Sequence, residues 1–97
     1  MAKFVYIYTG GSMAESEEER NALMAKWGAF LGGMGDHVID AGAPFGASAS
    51  GNGGGTSGLS GYSIVSADTM DEAVEHSKGC PVFEGGGNVE VYEALEI

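Results

Sequence analysis

The sequence predicts an α+β domain of ferredoxin-like βαββαβ order, with two helices on one face of a four-stranded antiparallel sheet. Three observations carry that expectation. Residues 3–9 hold a short apolar run and residues 89–95 alternate apolar with polar side chains, as strands do. Two stretches open on Ser or Thr three residues before a Glu and continue with apolar residues at helical spacing. Both strand–helix–strand units need crossovers, and these are right-handed in nearly all cases, which brings the helices to one side. A chain of 97 residues fits one domain, 1–97, with a modest core.

The first strand covers residues 3–9. Phe4, Tyr6 and Tyr8 point one way, and Val5 and Ile7 the other. A sheet with helices on one side and water on the other needs only one apolar face. Two apolar faces call for a second cover, such as a partner subunit. Residues 9–12 turn the chain into a long helix over residues 16–34. Ser16 with Glu19 fits a capping box, and Ser12 with Glu15 fits another, which leaves the start between them. Glu17, Glu18 and Glu19 suit the positive helix N-terminus. Leu23, Trp27, Phe30, Leu31 and Met34 share one face, with Trp27 as its main core anchor. Gly28 costs about 1 kcal/mol relative to Ala and is expected to mark close packing on the sheet. Gly32, Gly33 and Gly35 end the helix.

The second strand is expected at residues 37–41, broken by Gly42, Ala43, Pro44 and Phe45. Residues 46–61 are almost all small or polar, and read as a flexible hairpin connection. A phosphate-loop reading of Gly51-Asn52-Gly53-Gly54-Gly55 fails, because no Lys-Ser or Lys-Thr follows and no helix opens from it. Residues 62–66 form the third strand. Thr69 with Glu72 opens the second helix, whose inner face holds Met70, Ala73, Val74 and Ser77, with His76 to its side. Gly79 is placed to take the left-handed conformation that ends a helix, and Pro81 keeps it from resuming. Gly85, Gly86 and Gly87 turn the chain into the last strand, where Val89, Val91 and Leu95 alternate with Glu90 and Glu93.

The formal net charge is −10, with only four Lys and Arg residues. No basic patch can form, which argues against nucleic acid and against an anionic membrane surface as partners. One cysteine allows no disulfide within the chain, and Cys80 before a proline reads as a packed small side chain. No secretory pattern and no run of 18 apolar residues is present, so a cytoplasmic protein is expected. Eighteen glycines raise the entropic cost of folding, which favours added burial in a homodimer.

No Gly-x-Ser-x-Gly, His-Glu-x-x-His or Cys-x-x-Cys motif occurs. Two histidines and one cysteine, scattered, make a poor zinc set, so neither metal nor cofactor is expected. His37 and Asp40 flank the second strand, and on a straight strand they face opposite sides. Asp40 would alternate with Val38 on an otherwise apolar face. It would sit either at a wetted sheet edge or in a polar pocket with a raised pKa. Together with Tyr62, which opens the neighbouring strand, His37 and Asp40 are the candidates for a ligand cleft with residues 46–61 as its lid.

The Cys80-Pro81 step, the short apolar stretch after it, the glycine turn and the Val89-Glu90-Val91 strand resemble the YCII-related domain family, including its DGPF branch. Residues 41–45 resemble the Ala-Gly-Pro-Phe segment after that family's second strand. The resemblance covers most of the chain. It implies a ferredoxin-like fold that pairs into a dimeric α/β barrel, and a His-Asp pair in a cleft suited to acid–base catalysis. Where that family carries a His-x-x-aromatic-Leu segment, this chain has Trp27-Gly28-Ala29-Phe30-Leu31, with Trp27 in the histidine's place. The Asp-Gly-Pro-Phe signature is replaced by residues 46–61. The family's catalytic roles therefore pass to no residue here. Two functions follow: a non-catalytic homodimer that binds a small ligand or another protein, or a lyase- or isomerase-type enzyme with Asp40 or His37 as base. The missing histidine favours the first.

Overall fold

Alternation in the first strand sets the two faces of the sheet. In the computed structural model, which describes residues 2–11 and 15–96, β1 (Ala2–Thr9) buries Phe4, Tyr6 and Tyr8 and leaves Val5 and Ile7 half-buried on the opposite face. β1 pairs antiparallel with β3 (Leu59–Ala67) on one side and with β4 (Asn88–Ala94) on the other. β2 (Val38–Pro44) pairs antiparallel with β3, which gives the order β2-β3-β1-β4. Helices α1 (Glu17–Met34) and α2 (Met70–Ser77) follow β1 and β3. Met34 of α1 and Ala73 of α2 join one core with Phe4, Tyr6, Tyr8, Val65 and Val89. The arrangement is α+β with an open four-stranded antiparallel sheet, consistent with a ferredoxin-like fold. Among the described residues, no helix is long and apolar enough to cross a membrane.

Both helices start where their caps predict. Ser16 Oγ accepts from the Glu19 N–H at 3.1 Å, and Thr69 Oγ1 accepts from the Glu72 N–H at 3.1 Å. The return bonds differ from a strict capping box. Glu19 accepts from the Glu15 N–H, and Glu72 from the Asp68 N–H, each one residue ahead of the cap. The alternative start at Ser12 lies outside the described residues.

Several local expectations change, among them the inner face of α2, where Met70 and Val74 are exposed and only Ala73 and Ser77 are buried. Trp27 is half-buried and is not the main anchor of α1; the buried side chain of that helix is Met34. Gly28 is exposed, and a Cβ there would meet nothing within 4 Å, so it marks no close packing. β2 starts at Val38 and not at His37, which sits in a 3-10 turn at Gly35–His37, and it runs through Gly42 to Pro44 by bulging. Pro44 is tolerated there because β2 is an edge strand. Gly79 does not adopt positive φ; the left-handed glycine is Gly86 (φ 81°), which ends a 3-10 turn at Pro81–Gly85. Leu95 falls beyond β4 and is exposed.

Gly28 gives a direct check on α1. It occupies a helix interior with open space around it. Gly28→Ala is expected to stabilise the protein by about 0.5–1 kcal/mol. A thermal melt should rise by several degrees, since about 1 kcal/mol shifts a domain of this size by roughly 4–8 °C. A lower melting temperature would show that this part of α1 is packed against something.

Candidate functional site

The apolar face of α1 is only half-covered: Leu23, Trp27, Phe30 and Leu31 are all half-buried. Beneath it lies an open groove of about 1080 Å³. Leu23, Trp27 and Leu31 of α1 form its roof, Tyr8 and Ser63 its floor, and Val82 one wall. Such a groove matches the mostly apolar, sparsely polar lining of small-molecule sites. The Trp27 ring packs edge-on against Tyr8 with centroids 4.8 Å apart, and Phe30 packs edge-on against Trp27 at 6.0 Å.

The polar groups of the floor form one chain across three strands. Tyr8 Oη donates to Ser63 Oγ at 2.8 Å, and Ser63 Oγ donates to the Ala41 carbonyl at 2.7 Å. Each hydroxyl hydrogen is used, so what the floor offers an incoming group is acceptor capacity. Four charged residues also line the groove, Glu19, Arg20, Lys26 and Glu84, all of them exposed; Lys26 meets Glu84 at 3.1 Å. An ion pair so exposed contributes little stability.

Burial keeps the interior groups neutral. It pushes the Tyr8 phenol up to about 12, against a smaller opposing effect of the Ser63 hydrogen bond. It likewise pushes the Tyr6 phenol up to about 12 and the Cys80 thiol up to about 11. Cys80 is buried, as its packed role requires, and is poorly disposed to form a thiolate. These groups ionise more readily unfolded than folded, so the stability they carry is complete below pH 9 and is lost as pH rises. The loss runs from about 9 to 11 for Cys80 and from about 10 to 12 for Tyr6 and Tyr8. Denaturant midpoints should therefore fall steadily from pH 9 to pH 12. A Cys80→Ser variant should lose the earliest part of that slope.

Of the three cleft candidates only Tyr62 lines the groove under α1. His37 is half-buried at the start of β2, with Nδ1 3.1 Å from the Ser66 carbonyl. Asp40 is exposed, and its Oδ1 accepts from the Gly42 N–H at 2.8 Å. Val38 lies opposite Val65 while Asp40 lies opposite Ile64, so a bulge between them puts Asp40 on the other face from Val38. Tyr62 is half-buried and stacks on Phe45, centroids 5.8 Å apart. The glycine-rich connection starts at that stack. It carries its own bonds, including Ser48 to Thr56 at 3.1 Å and the Gly53 N–H to the Ser50 carbonyl at 3.1 Å.

The residues that do converge on His37 come from α2. The His37 and His76 rings lie 5.1 Å apart, and His76 Nε2 is 3.4 Å from Glu72 Oε1. The expectation of scattered histidines therefore fails. The Asp68 N–H, and after it the His76 ring, hold the Glu72 carboxyl below its usual range, so it is ionised at neutral pH. The four-residue spacing of Glu72 and His76 is visible in the sequence as one helix face. Their meeting with His37 needs the docking of α2 beside the start of β2, which no local pattern encodes. The chain matches no protein-family model and no curated protein.

Proposed function

We propose that the protein is a small cytoplasmic homodimer of YCII-like architecture that binds a small apolar ligand beneath α1 without transforming it. The groove under α1 carries this reading: mostly apolar walls, neutral tyrosine and serine hydroxyls on its floor, and charged lining residues that are all exposed. A ligand with an apolar body and one hydrogen-bond donor fits those features. Asp40 and His37, the alternative bases of the competing enzyme reading, both lie outside the groove lining, and Asp40 is exposed and bonded to Gly42 of its own strand.

Trp27 is the only tryptophan and stands in the groove, so its fluorescence reports occupancy. Titration with a neutral apolar dye should give saturable energy transfer from Trp27 at one dye per chain. Leu23→Glu, which places a charge in the roof, should abolish it. Unsaturable transfer, or transfer unchanged in Leu23→Glu, would reject the groove as the site.

The dimer reading rests on the sheet face that no helix covers. Register places Tyr92, Val5 and Ile64 in one row across it, with Ile7 and Tyr62 in the next. A second copy packed face to face, about 10 Å away, would close this face into a barrel. Its interface should exceed roughly 1,200 Å² in total. Light scattering at micromolar concentration should give twice the chain mass, and Ile7→Lys should halve it.

A further inference from the structure

We propose that His37, Glu72 and His76 form a binding site for a divalent transition metal, zinc foremost, at the junction of α2 with the start of β2. One ligating atom from each of the three lies within 4.8 Å of the other two, and all three side chains are half-buried. Two imidazoles and one carboxylate are a known three-ligand zinc set, which leaves the fourth tetrahedral position to water or another ligand.

The supporting geometry is that of a held site. Two ligands bound at about 2.0–2.1 Å in a tetrahedron stand roughly 3.3–3.4 Å apart. His76 Nε2 and Glu72 Oε1 are 3.4 Å apart, at that edge length. They are four residues apart on α2, so one helix face presents both. His37 completes the triangle from the sheet side. A carbonyl only accepts, so the proton of His37 sits on Nδ1, donated to Ser66 O at 3.1 Å. That leaves the Nε2 lone pair of His37 for a metal, with its second nitrogen fixed by backbone as ligating histidines usually are. Glu72 is oriented in the same way: Oε2 accepts from the Asp68 N–H at 3.2 Å, and Oε1 is turned to His76. A metal between His76 Nε2 and Glu72 Oε1 takes the place of their hydrogen bond. The chain's net charge of −10 favours a cation anywhere on it, and the three ligands select the place. None of the three lines the groove under α1, so this site stands apart from the proposed ligand site.

The test uses the full chain without a polyhistidine tag, stripped with chelator and titrated with Zn²⁺ by calorimetry. One Zn²⁺ per chain at micromolar affinity is expected, with a higher melting temperature. Co²⁺ should give the visible absorption of a four-coordinate nitrogen–oxygen site. Loss of an outer-shell partner alone weakens such sites about 10–100-fold, so His37→Gln and His76→Gln should each weaken Zn²⁺ at least that much. Their metal-free circular dichroism and melting should match the parent. Should a variant fail to fold, imidazole nitrogen NMR of the parent decides: Zn²⁺ must shift both histidines at one equivalent. No stoichiometric binding, or binding that leaves either histidine unshifted, overturns the site.

Discussion

Gly42→Ala should be among the most damaging single substitutions in this chain. Gly42 has φ +78°, and a Cβ there would lie 1.7 Å from the Tyr62 carbonyl oxygen and 2.6 Å from its carbon. Both atoms are backbone of the adjacent strand, so no side-chain rotation relieves the clash. The left-handed conformation costs a side chain about 1–2 kcal/mol, and forced backbone shifts add about 1–3 kcal/mol. A total of roughly 3 kcal/mol or more is a large part of the few kcal/mol by which a small domain is stable. Gly53 provides the control: its φ is +76°, but a Cβ there meets nothing within 4 Å. Urea midpoints should place Gly53→Ala below the parent by the left-handed cost alone, and Gly42→Ala well below Gly53→Ala. Equal midpoints would show that β2 does not bulge against Tyr62.

The second large effect is expected at Tyr6. It is fully buried, and its hydroxyl donates to the Ala73 carbonyl, tying β1 to α2. Tyr6→Ala removes an aromatic side chain from the centre of the core and should cost about 3–5 kcal/mol. Tyr6→Phe keeps the ring and loses the bond, which should cost about 1 kcal/mol. Denaturant unfolding separates the two. In Tyr6→Phe, the alkaline loss of stability between pH 10 and 12 should also shrink, because one of the two tyrosines raised to about 12 is gone. An unchanged alkaline limb would place the Tyr6 hydroxyl in water.

Local patterns carried the elements well. Phe4, Tyr6 and Tyr8 against Val5 and Ile7 define the two faces of β1, and the structure keeps that division. Ser16 and Thr69 mark the helix starts because a cap acts within three residues. The second strand was less legible. Gly42 and Pro44 break strand pattern by composition, yet here they lie on an edge strand whose bulges accept both. Those bulges also reversed the facing of Asp40, since one extra residue turns every later side chain to the opposite face. Gly79 and Gly86 show the same limit: both sit in chain-reversing segments, and only the backbone path shows which takes positive φ.

The sequence by itself determined the order of strands and helices, the two apolar faces of β1, the buried thiol of Cys80 and the acidity that disfavours polyanions. Those follow from side-chain periodicity, caps and charge, which act over a few residues or sum over the whole chain. Tertiary structure alone decided the groove under α1 and the meeting of His37 with Glu72 and His76. Each depends on how far a helix stands from the sheet and which strand end it faces. Distances of that kind are set by the packing of Met34, Ala73 and Tyr6 in the core, between residues far apart in the chain.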